Sequence, residues 1–196
     1  MTASPAPAET RADINAFREG MIAEMPNLRA FAISLSGNVH RADDLVQETL
    51  LKAWSNSDSF QAGTNLRAWL FTILRNTYYS LYRRRGREVQ DSDGLYANRI
   101  ATAAPQDSAM EMREFRVALA KLSEEHREAL LLVGASGFSY EEAAEMCGVA
   151  VGTVKSRVNR ARTKLAELLG IRGPSDIGSD QLSDAVVKRF DGGLVG

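Results

Sequence analysis

The chain has 196 residues, 44% hydrophobic and 25% charged, a composition that excludes disorder throughout and suits one medium domain or two small ones. One cysteine, Cys147, and two histidines, His40 and His126, exclude internal disulfides and a clustered metal site. No long apolar run or basic-then-apolar leader is present, which places the chain in the cytoplasm with no membrane contact, and no cofactor is expected.

The net charge of -1 would argue against a nucleic-acid partner if it were spread evenly, but it is segregated. Ser59 to Arg87 holds six arginines and no acid, and Ala150 to Ala166 holds Lys155, Arg157, Arg160, Arg162 and Lys164 and no acid. Two basic stretches between acidic ones predict two anion-binding surfaces, with other faces left for a different partner.

Apolar residues recur at helical spacing and strand-like alternation is missing, so the expected fold is all-α, two small helical domains on a flexible linker. Residues 1–12 are read as a disordered N-terminus and 13–87 as the first helical unit. Within it, Arg41 to Trp54 forms an amphipathic helix with Val46, Leu50, Ala53 and Trp54 toward the core, while Asp44, Gln47, Glu48 and Leu51 share another face. After the loop Gln61 to Thr64, Asn65 caps a long helix to Arg85. Leu66, Leu70, Ile73, Leu74, Thr77 and Leu81 form its packing stripe; the remaining arc, with Arg67, Phe71, Arg75, Asn76, Tyr78, Tyr79, Tyr82 and Arg83, interleaves aromatics with cations. Rings that stack on unpaired bases beside guanidinium groups that hold phosphates suit melted DNA, although any single tyrosine here could simply rim a core.

Residues 88–107 lose the periodicity and contain Pro105, which marks a linker; the second unit occupies 108–170. Its helices are expected over Met110 to Leu122 and, capped by Ser123, Glu124 to Leu132. Ser139 and Glu142 make a capping box for a helix that stops at Cys147-Gly148-Val149, and a second helix follows from Val151 to Leu169. This is a helix-turn-helix layout. Val154, Val158, Ala161, Leu165 and Leu168 pack on one side, and Gly152, Ser156, Asn159, Arg160 and Thr163, flanked by Lys155 and Arg162, are free to enter a major groove. Cys147 reads as a small packing residue. Residues 171–196 form a tail whose piece Asp180 to Phe190 has amphipathic spacing.

Four strings resemble the extracytoplasmic-function sigma factors of RNA polymerase: Asp43-Asp44-Leu45-Val46-Gln47-Glu48-Thr49; Leu66-Arg67-Ala68-Trp69-Leu70 with Arg75-Asn76; Leu122-Ser123-Glu124-Glu125-His126-Arg127-Glu128-Ala129-Leu130; and Gly152-Thr153-Val154-Lys155-Ser156-Arg157. They stand in the family's order across about Ala16 to Leu169. Asn27 to Ala32 and Val133-Gly134-Ala135 are similar to the EcfG general-stress type of alphaproteobacteria. The resemblance implies that 13–87 is sigma region 2 and 108–170 is sigma region 4. It implies that Asp44, Gln47, Glu48 and Leu51 dock on the clamp helices of the polymerase, whose flap would hold region 4. It assigns the melted minus-ten element to Gln61, Thr64, Asn65, Arg75, Asn76, Tyr79 and Arg83, and the minus-thirty-five element to Thr153, Lys155, Ser156, Arg157, Asn159 and Arg160. It also implies a monomer when free, restrained by a NepR-like anti-sigma factor until a PhyR-like response regulator displaces the inhibitor.

Three other classes compete with this one. A sigma-like mimic that only sequesters the anti-sigma factor needs no basic reading faces. A stand-alone helix-turn-helix regulator leaves the aromatic-basic helix without a role. An enzyme would need a phosphate loop, metal cluster or activated nucleophile, and the sequence offers none.

Overall fold

The computed structural model describes residues 11–61, 63–88 and 106–170, with backbone alone for 11–12, 82–88 and 106–112. The expected linker and tail therefore lie mostly or wholly outside the described residues. Among the described residues there are seven α-helices and no strand, as the periodicity requires. No described helix is long and apolar enough to cross a membrane, and no described cluster of His, Cys, Asp and Glu could hold a metal.

Helix α1, Arg11–Ser36, begins two residues before the expected boundary and carries Pro26 within it. Met21, Leu28, Phe31, Ala32 and Leu35, spaced to share one side, are buried. Gly20 lets α3 come close: a Cβ there would stand 2.6 Å from Leu66 Cδ2. Asn38 caps α2, Val39–Ser55, its side chain accepting from the Arg41 amide at 3.0 Å. Asn65 caps α3, Leu66–Glu88, by accepting from the Ala68 amide at 3.1 Å. These three helices form the first unit.

The second unit holds α4, Gln106–Ala120, and α5, Glu124–Leu130, the latter capped by Ser123 as expected. A π-helical turn, Leu131–Ala135, extends α5 without a break, which the sequence pattern did not distinguish from α-helix. The capping box of Ser139 and Glu142 opens α6, Tyr140–Cys147, and Gly148 closes it in the left-handed conformation at φ 65°. Helix α7, Val151–Leu168, then completes a helix-turn-helix whose buried stripe is Val154, Val158, Ala161 and Leu165.

The two units share one core. Phe71 of α3 is fully buried, with its ring centroid 5.1 Å from Phe31 on one side and 4.9 Å from Phe138, the residue ahead of α6, on the other. That corrects the expectation for Phe71, assigned above to the open arc. Leu81, assigned to the packing stripe, is exposed instead. Phe71 is buried because α3 is covered there on two sides, by α1 and α2 and by the second unit, which widens its buried arc; that cover does not reach Leu81, which is 42% exposed.

Candidate nucleic-acid interface

On α7, the side chains of Thr153, Lys155, Ser156, Asn159 and Arg160 are exposed together. The Lys155 ammonium lies 5.6 Å from the Tyr140 ring centroid, so α6 steadies one cation of this face. Arg157 is held differently. Its side chain is 17% exposed and its Nη2 sits 2.9 Å from Glu125 Oε2, which ties α7 to α5. The outer face thus offers amide, hydroxyl and cationic donors of the kinds that read base edges and hold phosphates.

The aromatic-basic arc of α3 is divided among three surroundings. Gln61 and Thr64 are exposed in the loop before it, where the Thr64 hydroxyl donates to the Gln61 carbonyl at 2.7 Å. Phe17, Phe60 and Trp69 support that loop, with ring centroids 5.3–6.0 Å apart. Asn65, besides capping α3, donates through Nδ2 to Glu142 of α6 at 2.9 Å. Arg75 is turned inward, its Nε donating to Glu128 Oε1 of α5 at 2.7 Å and its guanidinium lying 4.9 Å from the Tyr79 ring centroid. Asn76 faces outward into a groove of about 420 Å³ that it shares with Lys52, Asn56 and Ser59 of the α2 end and with Trp69. The side chain of Arg83 lies outside the described residues.

Glu128 is the group that sequence reasoning missed. It is 1% exposed, between Arg75 and the Cys147 thiol, whose sulfur is 3.6 Å away. Burial pushes the Glu128 carboxyl above its usual range, against the pull of Arg75. Burial alone would lower Arg75, but the facing Glu128 charge raises it overall, so the guanidinium stays protonated. Burial first, and then Glu128, push the Tyr79 hydroxyl far upward, and the Cys147 thiol goes up to about 11. Cys147 is therefore an unreactive packing residue. Further ties cross the same boundary: Arg67 Nη2 donates to the Ser136 carbonyl at 2.8 Å, and the Tyr78 hydroxyl lies 3.5 Å from Glu124. Three residues of the expected minus-ten set, Asn65, Arg75 and Tyr79, are thus engaged by the second unit.

On α2, Asp44, Gln47, Glu48 and Leu51 are exposed on one face. Trp54, expected on the core side, is 49% exposed and continues that face past the 57% exposed Leu51. Two bare apolar side chains beside three polar ones make a mixed surface suited to a protein partner.

The chain matches the sigma-70 region 2 family over residues 21–88 and the sigma-70 region 4 family over residues 112–165. It is 60% identical over 173 residues to the ECF RNA polymerase sigma factor EcfG of Rhodopseudomonas palustris, a match spanning 88% of this chain and 96% of that one. Among solved structures it is similar to the sigma factor RpoE of Bartonella quintana in complex with the anti-sigma factor NepR, with a TM-score of 0.73 and 54% identity over 81% of this chain and 99% of that one. CnrH, solved with the cytosolic domain of CnrY, is similar at a TM-score of 0.62 and 30% identity over 82% of this chain and 91% of that one.

Proposed function

The chain belongs to the extracytoplasmic-function sigma factors of the sigma-70 family, which associate with core RNA polymerase and direct promoter-specific initiation, and from that membership we propose how its residues divide the work. Residues 13–87 act as region 2 and 108–170 as region 4. Thr153, Lys155, Ser156, Asn159 and Arg160 read the minus-thirty-five element, and Arg157 holds the reading helix on α5. Asp44, Gln47, Glu48 and Leu51, joined by Trp54, meet the polymerase clamp. Gln61, Thr64, Asn65, Arg75, Asn76, Tyr79 and Arg83 hold the melted minus-ten strand, with Lys52 and the groove beside Asn76 receiving an unstacked base. Because Arg75 and Tyr79 face Glu128, this last role requires the two units to part.

The site of action is the cytoplasm, and the genes served are those of a general stress response. By analogy with the Bartonella relative, a NepR-like anti-sigma factor restrains the chain. The observation that carries the reading is the exposed α7 face together with the exposed α2 face, one for DNA and one for protein, on opposite units of a two-region sigma chain. A run-off transcription assay with core polymerase tests it. Specific initiation should appear on addition of the chain and stop on addition of a NepR-like protein; unchanged start selection would sink the assignment. A stand-alone helix-turn-helix regulator is the weaker reading, because it gives α1 to α3 no task.

A further inference from the structure

We propose that residues 180–190 of the chain's own C-terminal segment dock in the groove between α4 and the end of α7. The groove has a volume of about 650 Å³ and an apolar floor of Val117, Ala118, Leu168 and Leu169, with Arg113 and Lys121 on its rim. Val117, 39% exposed, is the one large apolar side chain of the second unit that stands open among the described residues. Neither the reading face of α7 nor the interface with the first unit uses this groove.

Three observations select the chain's own tail as occupant. Gly170 itself lines the groove, so the segment that follows starts at its edge. The nine residues 171–179 can span up to about 30 Å when extended, and a tether that short holds its end at a millimolar effective concentration. A modest apolar contact then suffices, whereas a second copy would have to associate from a far more dilute solution. Finally, the segment Asp180-Gln181-Leu182-Ser183-Asp184-Ala185-Val186-Val187-Lys188-Arg189-Phe190 sets Leu182, Val186 and Phe190 at helical i, i+4, i+8 spacing. Asp180 and Asp184 stand at its start and Lys188 and Arg189 at its end, the order that favours a helix. The two acids complement Arg113 and Lys121, and the two cations complement Glu114 on the same groove.

The full chain with Val186→Ser and Phe190→Ser, compared with the unaltered full chain by amide NMR and hydrogen exchange, tests the docking. Both substitutions lie outside the described residues, and unmoved amides across the reading helix report that the fold is intact. The backbone amides of Val117, Ala118, Leu168 and Leu169 are expected to shift and to exchange about tenfold faster, at every protein concentration, while those of Lys155 to Arg160 stay in place. The reciprocal variant Val117→Ser should sharpen the resonances of residues 180–190. Identical groove amides in both proteins would overturn the proposal. A difference that fades on dilution would also overturn it, assigning the groove to a second copy.

Discussion

The side chains proposed to read DNA and the side chain that ties α7 to α5 are neighbours on α7, and their burial separates them. Lys155→Ala or Arg160→Ala removes an exposed donor and should weaken binding at the upstream element by about 1–3 kcal/mol if the contact is to a base edge, with the melting temperature unchanged. Arg157→Ala breaks the pair with Glu125 and should lower the melting temperature instead, so footprinting and thermal melting on the same three variants separate the two roles. Equal loss of upstream protection in all three without any change in melting would contradict the division. Glu128 carries a second prediction. Its carboxyl is raised by burial, so the folded chain keeps that proton where the unfolded chain releases it. The stability it contributes is complete below its ordinary pKa of about 4.5 and drains away as the pH rises from there through the raised value. Denaturant titrations across this range should show that slope in the unaltered chain and a shallower one in Glu128→Gln. Spacing alone placed Arg75 and Tyr79 on one arc of α3, since they stand four apart. It could not show that an acid 53 residues from Arg75 fills the space they face, because periodicity reports which residues share a side and not what covers it.

At the scale of elements, the capping chemistry makes its own forecast. Ser139 accepts from the Glu142 amide at 3.1 Å while Glu142 accepts from the Ser139 amide at 2.9 Å, and Ser139→Ala should cost about 1 kcal/mol by equilibrium unfolding. Gly148→Ala, at φ 65°, should cost a similar amount, because a Cβ opposes the left-handed turn that joins α6 to α7 even where no atom crowds it. A variant at either position as stable as the parent would mean that the turn is held by something other than its caps. These signals are local, which is why the starts of α5, α6 and α7, the stop of α6 at Gly148 and the caps at Asn65, Ser123 and Ser139 were legible from sequence, while the end of α5, expected at Leu132, falls at Leu130. Trp54, Phe71 and Leu81 were misplaced for the opposite reason. Each sits at the margin of an apolar stripe, where the neighbouring layers decide burial: the second unit adds a layer over Phe71, and none covers Trp54 or Leu81. The π-helical turn was equally invisible, since Leu131–Ala135 has no residue that distinguishes it from an α-helix.

For the whole molecule, the consequence of the shared core is that Arg75 and Tyr79, two of the residues proposed to hold the minus-ten strand, are available only when the units separate, whereas Gln61, Thr64 and Asn76 are open already. The contacts across the boundary include the Phe71–Phe138 ring pair, the Arg75–Glu128 pair and the bonds from Asn65 to Glu142, from Arg67 to the Ser136 carbonyl and from Tyr78 to Glu124. A ring pair of this geometry contributes about 0.5–1.5 kcal/mol beyond its area, and an ion pair that has lost much of its solvent contributes little net, so apolar burial around Phe71 and Phe138 carries most of the hold on the closed form. A closed majority lowers the apparent affinity for single-stranded promoter DNA by the fraction of chains that are open. Glu128→Gln loosens the hold on Arg75 without removing a group that meets DNA in this scheme. If it shifts the equilibrium by about 1 kcal/mol, affinity for a single-stranded minus-ten oligonucleotide should rise about fivefold in an anisotropy titration at fixed salt. Arg75→Ala opens the same boundary but deletes a contact to the strand, so its affinity should fall, and the double variant should follow Arg75→Ala. Matching losses from Glu128→Gln and Arg75→Ala would show instead that the pair supports the fold and gates nothing. If the two units dock at the clamp and at the flap and are held apart there, the gain in Glu128→Gln should vanish once core polymerase is present.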